Sequence, residues 1–204
     1  MTIPAPLDPN TSDLRERILT AAEEVLRRYG PAKTSVVDVA RHLSMSHGNI
    51  YRVFASKEAL RGAVVERWLE RAHAPLAAIA AGPGPASDRL VDWFTTLARQ
   101  KLDKVASDPE LFQTYQALLH QVPEVIDRHL VWLDGQVRQM LTDGQAAGEF
   151  RFADLDRATA AVLAATVPFR HPDLIVATND SPDHAKLRAV LALVIAGLKT
   201  GALA

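Results

Sequence analysis

From Leu14 almost to the carboxy terminus, apolar residues return at every third or fourth position. No stretch alternates with a period of two between hairpin turns. That pattern places side chains on one face of a helix again and again and leaves no sequence for a half-buried strand. Leu14, Ile18, Ala22, Val25 and Tyr29 form the first stripe, with Arg15, Arg17, Glu24 and Arg28 off it. Gly30-Pro31 stops this helix. The expected fold class is all-α. About nine helices are read, a small amino-terminal three-helix unit followed by a larger carboxy-terminal bundle.

Local signals divide the chain further. Residues 1–12, rich in Pro, Asp, Asn and Thr, read as a disordered lead-in. Ser35-x-x-Asp38 announces a second helix, because hydroxyl and carboxylate satisfy amide groups that a helix start leaves free. After Ser44-Met45-Ser46 a short third helix is predicted from His47 to about Phe54. Ser56 is placed to cap a fourth, whose stripe is Leu60, Val64, Trp68, Ala72 and Leu76; Pro75 is expected to kink or interrupt it. Gly82-Pro83-Gly84-Pro85 reads as a short linker. Beyond it, helices are expected around Leu90–Leu102, Leu111–Leu119, Pro123–Ala147, Leu155–Val167 and Asp183–Leu203, with the Pro/Asp/Ser-rich stretch 168–183 as a separator. The domain reading is 13–60 for the first unit and 61–204 for the second.

Composition removes several function classes. The chain has 204 residues and no cysteine, which excludes disulfides, thiolate zinc sites and a cysteine nucleophile. Its seven histidines include no His-x-x-x-His pair, and neither Gly-x-Ser-x-Gly nor a P-loop is present. No enzyme, metal or cofactor is therefore expected. The amino terminus lacks a basic, then apolar, leader, and the longest apolar run, Ala158 to Phe169, is too short to span a bilayer. A cytoplasmic protein with no membrane partner is expected. Formal net charge is -1, so the chain is not basic throughout. The average hides a local excess, however. From Lys33 to Lys57 four cations (Lys33, Arg41, Arg52, Lys57) face Asp38 alone, a net of +3.

That basic segment coincides with the two helices joined by a short turn, a helix-turn-helix. Such a unit lays its second helix in the major groove while the first braces across the backbone. The start of the third helix, Ser46, His47, Gly48 and Asn49, is small or polar where base edges would be met. Thr34, Ser35, Arg41, Tyr51, Arg52 and Lys57 surround it as candidates for phosphate contact. Taken singly, Tyr51 and Phe54 could equally be core aromatics, and Arg52 and Lys57 ordinary solvated charges. The joint spacing is what favours DNA. Thr34-Ser35-Val36-x-Asp38-Val39-Ala40, followed by Ser46-x-Gly48-x-Ile50-Tyr51-x-x-Phe54-x-Ser56-Lys57-x-x-Leu60, resembles the DNA-binding domain of TetR-type repressors. Two positions depart from that pattern. Ser44 stands where the turn usually has Gly, and Val53 where His or Tyr is common. The resemblance implies a repressor that binds a double-stranded operator as a homodimer and is released by a small-molecule effector. The alternative is a helical ligand-binding or scaffolding protein whose helix-turn-helix serves only packing.

The second domain carries no diagnostic motif. Trp93, Phe94, Phe112, Tyr115, Leu119, Trp132 and Met140 either fill a core or line a ligand pocket, with Gln116, His120, Arg128 and His129 as polar anchors. On the last helix Leu187, Val190, Leu191, Val194, Ile195 and Leu198 form a dense apolar seam. With Leu155 and Val162 of the preceding helix, it is read as a four-helix dimer interface rather than monomer core.

Overall fold

A computed structural model describes residues 9–30, 35–107, 109–178, 180–181 and 184–202. The helices follow the capping and breaking residues closely. In order they are α1 (Pro9–Tyr29), α2 (Val36–His42), α3 (His47–Tyr51), α4 (Lys57–Ala80), α5 (Ala86–Ser107), α6 (Pro109–Leu119), α7 (Pro123–Ala146), α8 (Leu155–Ala165), a 3-10 turn (Val167–Phe169), α9 (Pro172–Thr178) and α10 (Ala185–Thr200). The described residues form no strand. Proline opens α1, α6, α7 and α9, where a missing N–H costs nothing and the fixed φ suits a first turn. Gly148 and Gly201 follow α7 and α10 with φ of 72° and 79°, left-handed positions that end a helix at no steric cost to glycine.

Three expectations change. Residues 9–12, read as lead-in, belong to α1, which starts five residues before Leu14; residues 1–8 lie outside the described residues. Pro75 does not interrupt α4, which runs through it as one helix of 24 residues. The stretch 168–183 contains α9, the helix missing from the expected nine. Its composition hid it, yet Ile175 is buried in the core.

The chain forms two compact units. The first comprises residues 1–68 and 108–126, and the second residues 69–107 and 127–204. In the first, α1 packs on both α2 and α6. Arg67 of α4 donates to Thr20 Oγ1 at 3.0 Å and pairs with Glu16 at 3.3 Å and Glu23 at 3.5 Å, tying α4 to α1. Trp68 stacks on Tyr115 at 4.3 Å between centroids, so α6 is held to the same unit by an aromatic pair. The second unit is built on α5, the later part of α7, α8 and α10, with Trp93, Phe94, Leu141 and Leu187 deep in its core. Gly82-Pro83-Gly84-Pro85 lies inside this unit as the turn between α4 and α5. Gly144 is required there by packing: a Cβ would lie 2.3 Å from the Phe150 ring.

Candidate nucleic-acid interface

The helix-turn-helix is built from local hydrogen bonds. Ser35 and Asp38 form a reciprocal capping box: Asp38 N–H donates to Ser35 Oγ at 3.2 Å and Ser35 N–H to Asp38 Oδ2 at 3.0 Å. The Ser35 hydroxyl also donates to that carboxylate at 2.5 Å. These bonds hold the Asp38 carboxyl below the usual carboxylate range, with the Arg41 guanidinium assisting. Such a cap contributes ~1 kcal/mol to helix stability. It also engages the hydroxyl proposed for phosphate, so Ser35 serves first as a structural cap.

The turn after α2 is a Schellman motif. Ser44 N–H donates to Arg41 O and Met45 N–H to Ala40 O, at 3.1 and 3.0 Å. The motif needs one left-handed residue, and Ser44 takes it with φ of 54°. The backbone expected of glycine is thus kept by serine, at a strain of ~1 kcal/mol.

Burial then sorts α3 into two faces. Ile50 is fully buried and Phe54, just past the helix, is 5% exposed, under the Arg15 guanidinium at 5.5 Å from the ring centroid. Tyr51, by contrast, is 48% exposed. The two aromatics that could both have been core are therefore divided between interior and surface. Ser46, His47, Gly48, Tyr51 and Arg52 are exposed together, with Asn49 and Lys57 half-buried. Arg41 is exposed beside them and pairs with Asp38 at 3.3 Å. Thr34 and Lys33 lie outside the described residues. The result is a short polar helix anchored by one isoleucine, with hydroxyl, imidazole, amide, phenol and guanidinium groups turned outward.

The carboxy-terminal candidates are divided between the two units. Phe112, Tyr115, Gln116, Leu119 and His120 belong to the first unit, and Trp93, Phe94, Arg128 and Trp132 to the second. Trp93 and Phe94 are buried against each other edge to face, 4.8 Å between centroids. Phe112 and Tyr115 are buried, Gln116 and Leu119 half-buried, and His120 and Arg128 exposed. Trp132 is the exception: half-buried, it stacks on His73 with centroids 3.8 Å apart. His73 in turn meets His129, Nε2 to Nδ1, at 2.8 Å. His73 was not singled out from sequence, because 56 residues separate it from His129.

The apolar seam on α10 is corrected. Leu187, Leu191, Ile195 and Leu198, with Val162 of α8, are buried in the core of the second unit. Leu155, Val190 and Val194 pack half-buried against it. The large branched residues filled their own core first. What α10 turns outward is its small face, Ala189, Ala192 and Ala196, with Leu193 76% exposed.

Comparison with known proteins settles the family. The sequence profile of the bacterial regulatory proteins, tetR family, matches residues 18–64, the helix-turn-helix unit. The tetracyclin repressor-like C-terminal domain profile matches residues 86–191, about half of the chain. The chain belongs to the TetR family. It is similar to an uncharacterized HTH-type transcriptional regulator of Mycobacterium tuberculosis, 33% identical over 91 residues. That match covers 45% of this chain, and the chain spans 45% of that relative's length. Among solved structures, a TetR/AcrR-family transcriptional regulator from Thermobifida fusca is 25% identical. Its TM-score is 0.62, and the match covers 91% of this chain and 98% of that one. FadR of Bacillus subtilis, solved in complex with stearoyl-CoA, shares the fold at 20% identity and a TM-score of 0.58, covering 89% and 98%. The exposed α3 surface of this chain is the helix-turn-helix of the TetR family.

Proposed function

We propose that this protein is a ligand-responsive repressor that binds an inverted-repeat operator as a homodimer and leaves it when a small molecule binds the second unit. The observation that carries this reading is the division of α3, with Ile50 inward and His47, Gly48, Tyr51 and Arg52 outward. A packing element has no use for an exposed tyrosine beside a basic cluster. A reader of the major groove needs short polar groups at the helix start and phosphate contacts around them. His47 and Asn49 are assigned to base edges, and Tyr51, Arg52, Arg41 and Lys57 to the backbone. Operator binding places the protein with the chromosome, in the cytoplasm. No helix among the described residues is long and apolar enough to cross a membrane.

One recognition helix reads a few base pairs, so a second copy is needed for affinity and specificity. The outward faces of α8 and α10, which pack on each other, supply the surface. Ala160, Ala161 and Ala164 are exposed on α8, and Ala189, Ala192, Leu193 and Ala196 on α10. Small residues let two such pairs approach closely around Leu193. Release follows if the effector binds better to the form in which the two recognition helices are wrongly spaced.

Selection of a duplex from a random pool, followed by gel shift, tests the reading. An inverted repeat should be enriched. Combined Tyr51→Ala and Lys57→Ala should weaken binding to every sequence and flatten the salt dependence, whereas Asn49→Ala relaxes base preference. DNA binding left intact by the double substitution overturns the assignment. Leu193→Glu should yield a monomer in solution with the same helical content.

A further inference from the structure

The second unit holds two half-buried cations that meet no carboxylate among the described residues. Lys101, on α5, donates from its ammonium to the backbone carbonyl of Arg170. Arg170, just after the 3-10 turn, donates from Nη2 to the carbonyl of Leu163 at 3.1 Å, and its Nε is buried without a hydrogen bond. Both partners are neutral acceptors. Among the described residues neither cation meets a carboxylate. Burial, with Arg170 and Lys104 nearby, pulls the Lys101 pKa from 10.5 down to about 8.

Lys101 and Arg170 act electrostatically on a flat stack of rings, since both lower the pKa of His129. The His73 and His129 rings lie parallel within 5° and share a hydrogen bond, and Trp132 covers His73 at 3.8 Å. His129 is held near pKa 3 by burial first and then by Lys101, His73, Arg170 and Lys104, so it is neutral at physiological pH. Two neutral imidazoles carry two ring N–H groups. One closes the bond between them, and the other remains as a donor. α4 and α7 thus supply an aromatic surface with one spare donor, and α5 and the turn at Arg170 supply two cations whose field reaches His129.

As pure scaffolding this arrangement is unfavourable, since a desolvated cation lowers stability unless an anion pairs with it. We propose that Lys101 and Arg170, walled by the His73–His129–Trp132 stack, form the headgroup site for an organic anion, an apolar acid bearing a carboxylate or a phosphoester, and that this anion is the effector. The proposal rests on the reading of the chain as a ligand-responsive regulator and names the chemistry of its ligand. An anion there makes charge-assisted hydrogen bonds, stronger than the carbonyl contacts it replaces, while its apolar body lies against the ring stack.

The full-length protein is titrated with decanoate, benzoate and decyl phosphate against decanol and benzyl alcohol, read by tryptophan fluorescence and thermal shift. At least one acid should bind ten-fold or more tightly than its alcohol. Comparison of decanoate with decyl phosphate assigns the headgroup. Lys101→Met and Arg170→Met should erase the preference for the acid, and Lys101→Met should raise the Tm of the ligand-free protein. If Arg170→Met does not fold, Lys101→Met alone decides. Alcohols binding as tightly as acids, no binding of any probe, or an unchanged acid preference in Lys101→Met overturns the proposal. The same acids should release the wild-type protein from its selected duplex and not Lys101→Met. DNA binding without any acid preference defeats this inference alone. Acid binding without DNA binding keeps the anion site and defeats its role as effector site.

Discussion

The helix-turn-helix and the interior of the second unit both carry cations, and they hold them in opposite ways. Arg41 and Arg52 stand in water on the edge of a short helix. Lys101 and Arg170 sit among helices, where their contacts are backbone carbonyls. In water a guanidinium keeps its charge at little cost and attracts phosphate over a screened distance, so its effect is read in salt dependence. Inside, the same charge is desolvated, and its effect is read in stability and in a shifted pKa. Location, more than the number of charges, decides what each can recognise.

Substitutions at the two regions sharpen this contrast. The largest effect should come from the apolar anchor of the exposed region. Ile50→Ala leaves a cavity beneath α3 and should cost ~3 kcal/mol in denaturant unfolding. Operator binding should fall with it, because the exposed groups lose the support that orients them. Retained stability in that variant would mean that the outward face of α3 does not depend on its single buried residue.

An intermediate effect belongs to the buried charge and is a function of pH. The folded-state pKa of Lys101 is about 8, against an ordinary value of 10.5. Below 8 both states hold the proton, and the folded protein bears the whole cost of burying it. Between 8 and 10.5 the unfolded chain binds more protons than the folded one, so stability rises with pH. Lys104, likewise lowered to about 8 chiefly by burial, adds to the rise. Unfolding midpoints measured from pH 7 to 10.5 should climb in the wild type, and less steeply in Lys101→Met. Equal slopes would place the Lys101 ammonium in water and erase the contrast.

The smallest effect lies in the turn. Ser44→Gly relieves the left-handed strain but gives the unfolded chain more freedom, so the net gain should be no more than ~1 kcal/mol. DNA affinity should be unchanged, because the turn geometry is already the glycine-like one.

Much of the fold was legible because it is local. The Ser35-x-x-Asp38 box and the prolines and glycines at helix ends act within four residues of themselves, and the structure uses them as caps and stops. α9 was not legible. Its seven residues lie in a stretch whose proline and aspartate content signals a loop, and Ile175 makes it a helix worth forming only by reaching the core. The face of α10 was misread for a related reason. A helix apolar on most sides offers two candidate seams, and periodicity does not say which one a neighbour covers. Trp93, Phe94, Phe112 and Tyr115 are buried and Trp132 half-buried, yet α6 took its share of them, Phe112 and Tyr115, into the first unit.

By itself, then, the sequence determined an all-helical chain, the position of its helix-turn-helix and its family, since capping, periodicity and motif spacing are properties of neighbours along the chain. Tertiary structure alone decided that Tyr51 faces water while Phe54 does not, and that α10 turns alanines outward. It alone brought half-buried His73 and His129 together and set Lys101 against the carbonyl of Arg170. Those outcomes depend on which surfaces meet across many residues, where burial and desolvation rather than local propensity set the free energy.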